Sequence, residues 1–256
     1  MNDPVPYSGE LNDLAILVFS AHAADFCSRC GGTIALYTRS GVPVHVVALT
    51  FGERGESEDY WRSAVRPNLA DAKAARAREA AEAAALLGAD IEFMDFEDYP
   101  LMMNRERLDA LARIMRRWRP AIILTHWQVD PYNVDHEVTT ASILRAATMA
   151  AVAGFDEAPE AAHTFPHVFG FEPTVPRDDL TGFVPDTYVD IAEVFEQKLA
   201  ALRALQSQLK LVPWYTRWAE YRGMQATQWA GRPVAHAEAF RRHTASVGAR
   251  LPVLDN

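Results

Sequence analysis

Residues 15–32 read AILVFSAHAADFCSRCGG, and the reading of this stretch decides the fold. It opens inside the apolar run 14–19 (LAILVF), which is short and continuous and gives way to small and polar residues. That pattern belongs to a strand buried on both faces of a parallel sheet. Four side chains able to bind a metal follow, His22, Asp25, Cys27 and Cys30, and then the pair Gly31-Gly32, from which residues 31–37 read as a helix.

Working outward, residues 42–50 (VPVHVVALT) form a second, β-branched strand, and the polar loop 51–67 behind it is longer than a plain connection needs. Residues 69–87, rich in Ala, Arg and Glu and closed by Gly88, predict a helix; 91–93 a short strand; 105–118 a helix stopped ahead of Pro120; and 121–125 (AIILT) a fourth buried strand. Alternating strands and helices predict an α/β fold: a Rossmann-like, doubly wound, mostly parallel sheet with helices on both faces. HWQVDPYNVDH at 126–136 then leads into a helix running to residue 153. Residues 161–166 read as loop, 167–171 and 188–191 as strands, and 191–208 as a helix capped by Asp190. From residue 210 the pattern is less regular, with Trp214, Trp218 and Trp229 expected to cover the core. Residues 1–256 are therefore expected to form one α/β domain, with 210–256 as a C-terminal extension.

With 256 residues, 49% hydrophobic and 23% charged, the chain has ample apolar surface for such a core. Its start, Asn2-Asp3-Pro4, lacks a basic segment followed by an apolar run, and no stretch nears the roughly 18 apolar residues a membrane span requires. The expectation is a cytoplasmic protein without a membrane partner. A net charge of −9 with no basic block argues against nucleic acid. Small anions remain as ligands where arginines gather. Cys27 and Cys30 form one C-x-x-C, which in a reducing compartment is no assured disulfide.

In open α/β sheets ligands bind beyond the carboxyl ends of the strands. Strand one delivers His22 and Asp25 there, strand two Glu53 and Arg54, and strand four His126, Asp130, Asp135 and His136. Two imidazoles and a carboxylate from separate loops suit a divalent cation, zinc favoured, with a coordination position left open. The expected ligands are His22, Asp25 and His136. The cysteines compete as donors, although packing against the sheet accounts for them as well.

At this point the chain resembles the PIG-L or LmbE-like superfamily of zinc-dependent deacetylases. The resemblance rests on His22-Ala23-Ala24-Asp25, Gly31-Gly32, Thr50-Phe51-Gly52-Glu53 and Asn133-Val134-Asp135-His136, and later segments such as Ser207-Gln208 and Ala237-Glu238-Ala239-Phe240 extend it over nearly the whole length. It implies one zinc ion per chain, or another divalent metal. Two departures stand out. The position of the deacetylases' general base is Ala24, and the histidine that opens the later motif is Asn133. Alanine accepts no proton, and general base catalysis contributes about 10²- to 10⁴-fold in rate.

The runs SAHAADF and TFGERGES are similar to a branch of the superfamily that hydrates 4-oxalomesaconate, in gallate and protocatechuate breakdown, to 4-carboxy-4-hydroxy-2-oxoadipate. That resemblance implies a hydro-lyase acting on a small tricarboxylate with a 2-oxo group. Water addition then needs a Lewis acid, a base for the water and an acid for carbon. Glu53 is the expected base, with His126, Asp135 and His167 as further acid–base candidates. Arg54, Arg29, Arg222 and Asn133 are expected to bind the substrate, arginine because its planar fork matches carboxylates. A zinc-dependent N-acetyl-sugar deacetylase and a non-catalytic metal-binding relative are the alternatives. The tryptophan-rich tail and the habit of the superfamily imply a homo-oligomer.

Overall fold

The computed structural model describes residues 14–155 and 164–245. The opening stretch is strand β1 (Ile16–Ser20), every residue of it buried. Alternate side chains leave a strand on opposite faces. Ile16 and Val18 join a cluster with Ile34, Ala80 and Leu199, while Leu17 and Phe19 join another with Leu111 and Ile143. Both faces are thus covered, which is why the run is apolar without alternation.

After β1 come α1 (Asp25–Arg39), β2 (Val44–Ala48), the short α2 (Glu58–Ser63) inside the long polar loop, α3 (Leu69–Leu87), β3 (Asp90–Phe93), α4 (Arg105–Trp118), β4 (Ile122–His126) and α5 (Val134–Ala151). Then follow β5 (His167–Phe171), the one-turn α6 (Asp178–Thr181), β6 (Thr187–Asp190), α7 (Phe195–Ala204), α8 (Leu211–Ala230) and β7 (Ala237–Arg242). The sheet order is β3-β2-β1-β4-β5-β7-β6. Strands β1 to β5 run parallel, and β7 pairs antiparallel with both β5 and β6. The chain reverses its direction of travel across the sheet between β1 and β4, the switch point at which open α/β sheets bind ligands.

Helices α3 and α4 take the bounds the sequence predicts. Asn68 and Asn104 cap them, accepting from the amides of Asp71 and Arg107, each at 2.9 Å, and Gly88 ends α3 in the left-handed region at φ 78°. Helix α1 differs: it starts at Asp25, six residues before Gly31, and is kinked at Cys30 (φ −137°, ψ 19°). The glycine pair marks a restart. The Glu238 carboxylate of β7 accepts from the amides of Gly32 (2.8 Å) and Thr33 (2.7 Å), capping the second segment, and it pairs with Lys198 Nζ at 2.6 Å. A Cβ on Gly32 would stand 2.6 Å from Ile191, so a larger residue does not fit.

The expected helix 191–208 is shorter, with 3₁₀ turns at Ala192–Val194 and Gln206–Gln208 flanking α7, and Asp190 caps the first turn by accepting from Ala192 N–H at 3.0 Å. The region from 210 is far more regular than its sequence suggests, since it supplies the 20-residue α8 and the inner strand β7. Pro213 lies in the first turn of α8, where its missing N–H costs nothing. The tryptophans do not all cover the core. Trp229 is 79% exposed, Trp214 is half-exposed, and Trp218 donates through Nε1 to the Glu172 carboxylate. The expected loop at 161–166 lies partly outside the described residues. Among the described residues no helix is long and apolar enough to cross a membrane.

Candidate metal centre and active site

His22 and Asp25 follow β1, and Asp130 to His136 follow β4, so the switch point brings the two motifs together. His22 N–H donates to Asp25 Oδ2 at 2.8 Å, which fixes that carboxylate at the first turn of α1. His22 Nδ1 lies 3.3 Å from Asp25 Oδ2, and His136 Nε2 lies 3.5 Å from Asp25 Oδ1. Behind each ring stands a second carboxylate. His22 Nε2 lies 3.2 Å from Asp135 Oδ2, and His136 Nδ1 lies 2.8 Å from Asp130 Oδ2. Asp135 in turn accepts from the amides of Tyr99 (3.0 Å) and Leu101 (2.9 Å), and Asp130 from Thr174 N–H (2.7 Å).

These outer partners assign the protons. An ionised carboxylate only accepts, so His22 Nε2 and His136 Nδ1 donate, which leaves lone pairs on His22 Nδ1 and His136 Nε2. Those two nitrogens are buried and have no hydrogen-bond partner among the described residues. Buried polar atoms rarely stay unpaired, and two that converge on one carboxylate are the arrangement a cation completes. Glu56 Oε1 stands 3.3 Å from His22 Nδ1, and one donor atom from each of His22, Asp25, Glu56 and His136 falls within 4.8 Å of all the others. Imidazole nitrogen with carboxylate oxygen is a donor set suited to zinc and its neighbours among divalent ions.

The electrostatics agree with ionised carboxylates. Burial pushes Asp25 upward, but the neighbouring His136 outweighs it and holds its carboxyl well below the usual range. Burial lowers His22, yet Glu56, Asp135 and Asp25 raise its pKa well above the ordinary value, so a proton competes with a cation for Nδ1. His126 is driven the other way, by burial and by His136, whose ring stacks on it at 3.9 Å; its Nε2 accepts from Ala21 N–H at 3.0 Å. It is therefore a neutral ring that supports the floor of the site.

A cavity of about 410 Å³ opens beside this cluster, walled by Ala24, Asp25, Arg29, Glu56, Asn133 and Trp214 among others. A larger one of about 940 Å³, between β6 and α8, lies away from the histidines. Arg29 is buried; its Nε donates to Asp25 Oδ1 at 3.4 Å, its Nη1 to Glu172 O and its Nη2 to Thr174 Oγ1 at 3.3 Å. Asn133 Nδ2 donates to Glu56 Oε1 at 3.4 Å, and its buried Oδ1 has no partner among the described residues.

Other expected site residues lie elsewhere. Glu53 is fully buried with Oε1 at 3.6 Å from Lys73 Nζ, and Oε2 accepts from Phe51 N–H at 3.2 Å. The exposed side chain of Arg54 does not wall the cavity; its backbone N–H, with that of Gly55, donates to Asp98. Arg222 is committed to Glu172, Nε to Oε1 at 2.6 Å and Nη2 to Oε2 at 2.9 Å. His167 opens β5 at the amino edge of the sheet, the opposite end from the site, where its Nδ1 meets Arg242. Cys27 and Cys30 are free thiols inside the core.

Glu56 is the carboxylate that reasoning from the sequence passed over, although it stands in the same TFGERGES run as Glu53. Gly52 decides between them. Its φ of +68° turns the chain there, and a Cβ at Gly52 would sit 3.1 Å from Glu56 Cβ and 3.2 Å from His22 Cβ. The turn thus presses Glu56 against His22 and sends Glu53 toward Lys73.

Fold and site together define a doubly wound α/β enzyme frame with a candidate metal group at its switch point. The chain belongs to the PIG-L family, whose model, described as GlcNAc-PI de-N-acetylase, matches residues 17–148. It is 40% identical over 229 residues to a 4-oxalmesaconate hydratase of Pseudomonas putida, spanning 88% of this chain and 87% of that protein. The crystal structure of GalB, the 4-carboxy-2-hydroxymuconate hydratase of Pseudomonas putida KT2440, superposes with a TM-score of 0.88 at 38% identity, covering 93% of this chain and all of that one. A 1D-myo-inositol 2-acetamido-2-deoxy-alpha-D-glucopyranoside deacetylase of a Mycobacterium species is 30% identical over 77% of this chain and 75% of its own length.

Proposed function

We propose that this protein is a hydro-lyase that adds water to the carbon–carbon double bond of 4-oxalomesaconate, giving 4-carboxy-4-hydroxy-2-oxoadipate. One observation carries the reading beside the likeness to the Pseudomonas hydratase. The two histidines and Asp25 are kept, while the cavity wall at Ala24 offers no carboxylate for hydrolysis and Glu56 offers one at a different place.

His22, Asp25 and His136 hold the metal in this reading, zinc or another divalent ion, which supplies Lewis-acid polarisation of the substrate when bound. The chain's own groups do the rest. Arg29, fixed deep in the wall, takes one substrate carboxylate, and Asn133 takes a second polar group. Glu56 accepts a proton from water as the water oxygen bonds to C4, and the π electrons move through C5 onto the adjoining carboxylate; C5 then gains the proton. Burial of the site keeps Arg29 and the carboxylates in fixed positions before the substrate enters, which is where such electrostatic help is strongest. Neutral His126 and the ionised Asp130 and Asp135 orient the ligands. A cytoplasmic location and self-association through the tail, which sedimentation measures, go with this reading.

The test is a spectrophotometric assay of purified, metal-loaded protein with 4-oxalomesaconate, repeated after chelation. Loss of the conjugated absorbance that stops with the chelator is expected. No turnover by loaded protein, or acetate release from N-acetylglucosamine conjugates at the faster rate, overturns the reading.

A further inference from the structure

Three of the four donors in the cluster are rigid. Asp25 sits in the first turn of α1 and is held by His22 N–H and by Arg29, and each histidine is pinned from behind by its own carboxylate. Glu56 is different. It comes from the loop between β2 and α2, its side chain is 15% exposed at the cavity wall, and its oxygens are approached by two neutral amides. Asn133 Nδ2 is 3.4 Å from Oε1 and Gln208 Nε2 is 3.5 Å from Oε2, both beyond the 2.7–3.2 Å of a well-made hydrogen bond. Among the described residues no donor stands at well-made hydrogen-bond distance from this carboxylate. Yet the turn at Gly52 brings it within 3.3 Å of His22 Nδ1, a nitrogen with no hydrogen-bond partner among the described residues.

Charge points the same way. Two neutral imidazoles and Asp25 leave a divalent ion with one uncompensated charge beside the buried Arg29 cation, and a second carboxylate removes that excess. Four protein donors also close a tetrahedral ion, whereas a reacting site keeps a position open.

We propose that Glu56 is a fourth, displaceable donor of the metal site: it closes the site while the cavity is empty and yields its place to a carboxylate or oxo group of the incoming anion. The proposal rests on His22, Asp25 and His136 holding a divalent ion, and it gives the hydratase reading a means of releasing its base only when substrate is present. It accounts for the weak amide contacts, since a carboxylate that must leave cannot be tied down elsewhere.

Cobalt(II) serves as the probe, because its visible absorption weakens as coordination rises above four. Metal-free protein is titrated with Co²⁺ against a chromophoric chelator, for wild type, Glu56→Gln, Glu56→Asp and the surface control Arg54→Gln, with circular dichroism as the check of folding. Glu56→Gln is expected to bind Co²⁺ about 10- to 100-fold more weakly, with Glu56→Asp between and Arg54→Gln like wild type. Adding propane-1,2,3-tricarboxylate is expected to change the spectrum of both the wild-type and the Glu56→Gln Co²⁺ proteins, and to do so at lower concentration in Glu56→Gln, where no carboxylate has to be displaced. Folded Glu56→Gln with wild-type Co²⁺ affinity and spectrum overturns the proposal. None of these readouts needs turnover, so a protein that behaves as expected here and fails to hydrate 4-oxalomesaconate loses the hydratase reading alone, and failure of wild type to bind Co²⁺ removes the metal site itself.

Discussion

Behind His136 the carboxyl of Asp130 is pushed up by burial, but its hydrogen bond from the His136 imidazole, the charge of Arg29 and the Thr174 amide hold it down at about 2, against an ordinary 3.8. A group depressed in the folded state stabilises the fold above its unfolded value, and that contribution disappears as pH falls through the folded one. Asp130→Asn is therefore expected to be less stable than wild type at pH 6, with the gap closing as pH falls from about 4 to about 2. Denaturant titrations of the two metal-free proteins across this range measure it; a gap that stays constant with pH contradicts the assignment. The residue scale also shows where sequence reading stops. That His22, Asp25 and His136 meet was legible because the strand ends carry them to one edge. Glu56 was not, because the choice between two glutamates three residues apart is made by the backbone at Gly52, and no side-chain pattern records it.

Among the elements, α1 bears the most constraint. Its first half presents Asp25 and Arg29, and its second half restarts beneath Glu238 and against Ile191. Gly32→Ala drives a methyl into the Ile191 side chain and is expected to cost about 1–3 kcal/mol, the usual penalty of overpacking. Ile191→Ala combined with it makes room, so the double variant is expected to lose less than the sum of the single losses, as thermal or denaturant unfolding reads directly. Local rules explain which elements could be read in advance. Helices α3 and α4 carry asparagine caps and defined stops, so their ends are written in nearby residues. Helix α8 carries tryptophans, Pro213 and Gly223, residues of modest or poor propensity, and it forms because tertiary packing outweighs propensity. The kink of α1 escaped for a related reason: its cap comes from a residue 206 positions away.

Over the whole molecule, the donors of the candidate metal group come from the segment that joins β1 to α1, the loop before α2, and the start of α5, so a cation bound there would cross-link the three. A ligand that binds only the folded state, present at about a thousand times its Kd, adds roughly 4 kcal/mol of stability. In a chain of this size 1 kcal/mol moves Tm by about 2–4 °C, so chelation is expected to lower Tm by about 8–16 °C, read by scanning calorimetry. An unchanged Tm means the donors are not joined by an ion. The gross architecture was legible at this scale because the parallel strands are apolar runs spaced by helices; the antiparallel edge was not, since β7 (AEAFRR) finds its place only against partners far back in the sequence. That placement bears on how the molecule comes into being. The last strand among the described residues lies between two made earlier, so during synthesis β5 and β6 must wait, unjoined, for the ribosome to deliver it, and α1 waits with them for Glu238. A nascent chain halted before Ala237 holds every side chain of the candidate metal group and still lacks the strand that joins β6 to the sheet.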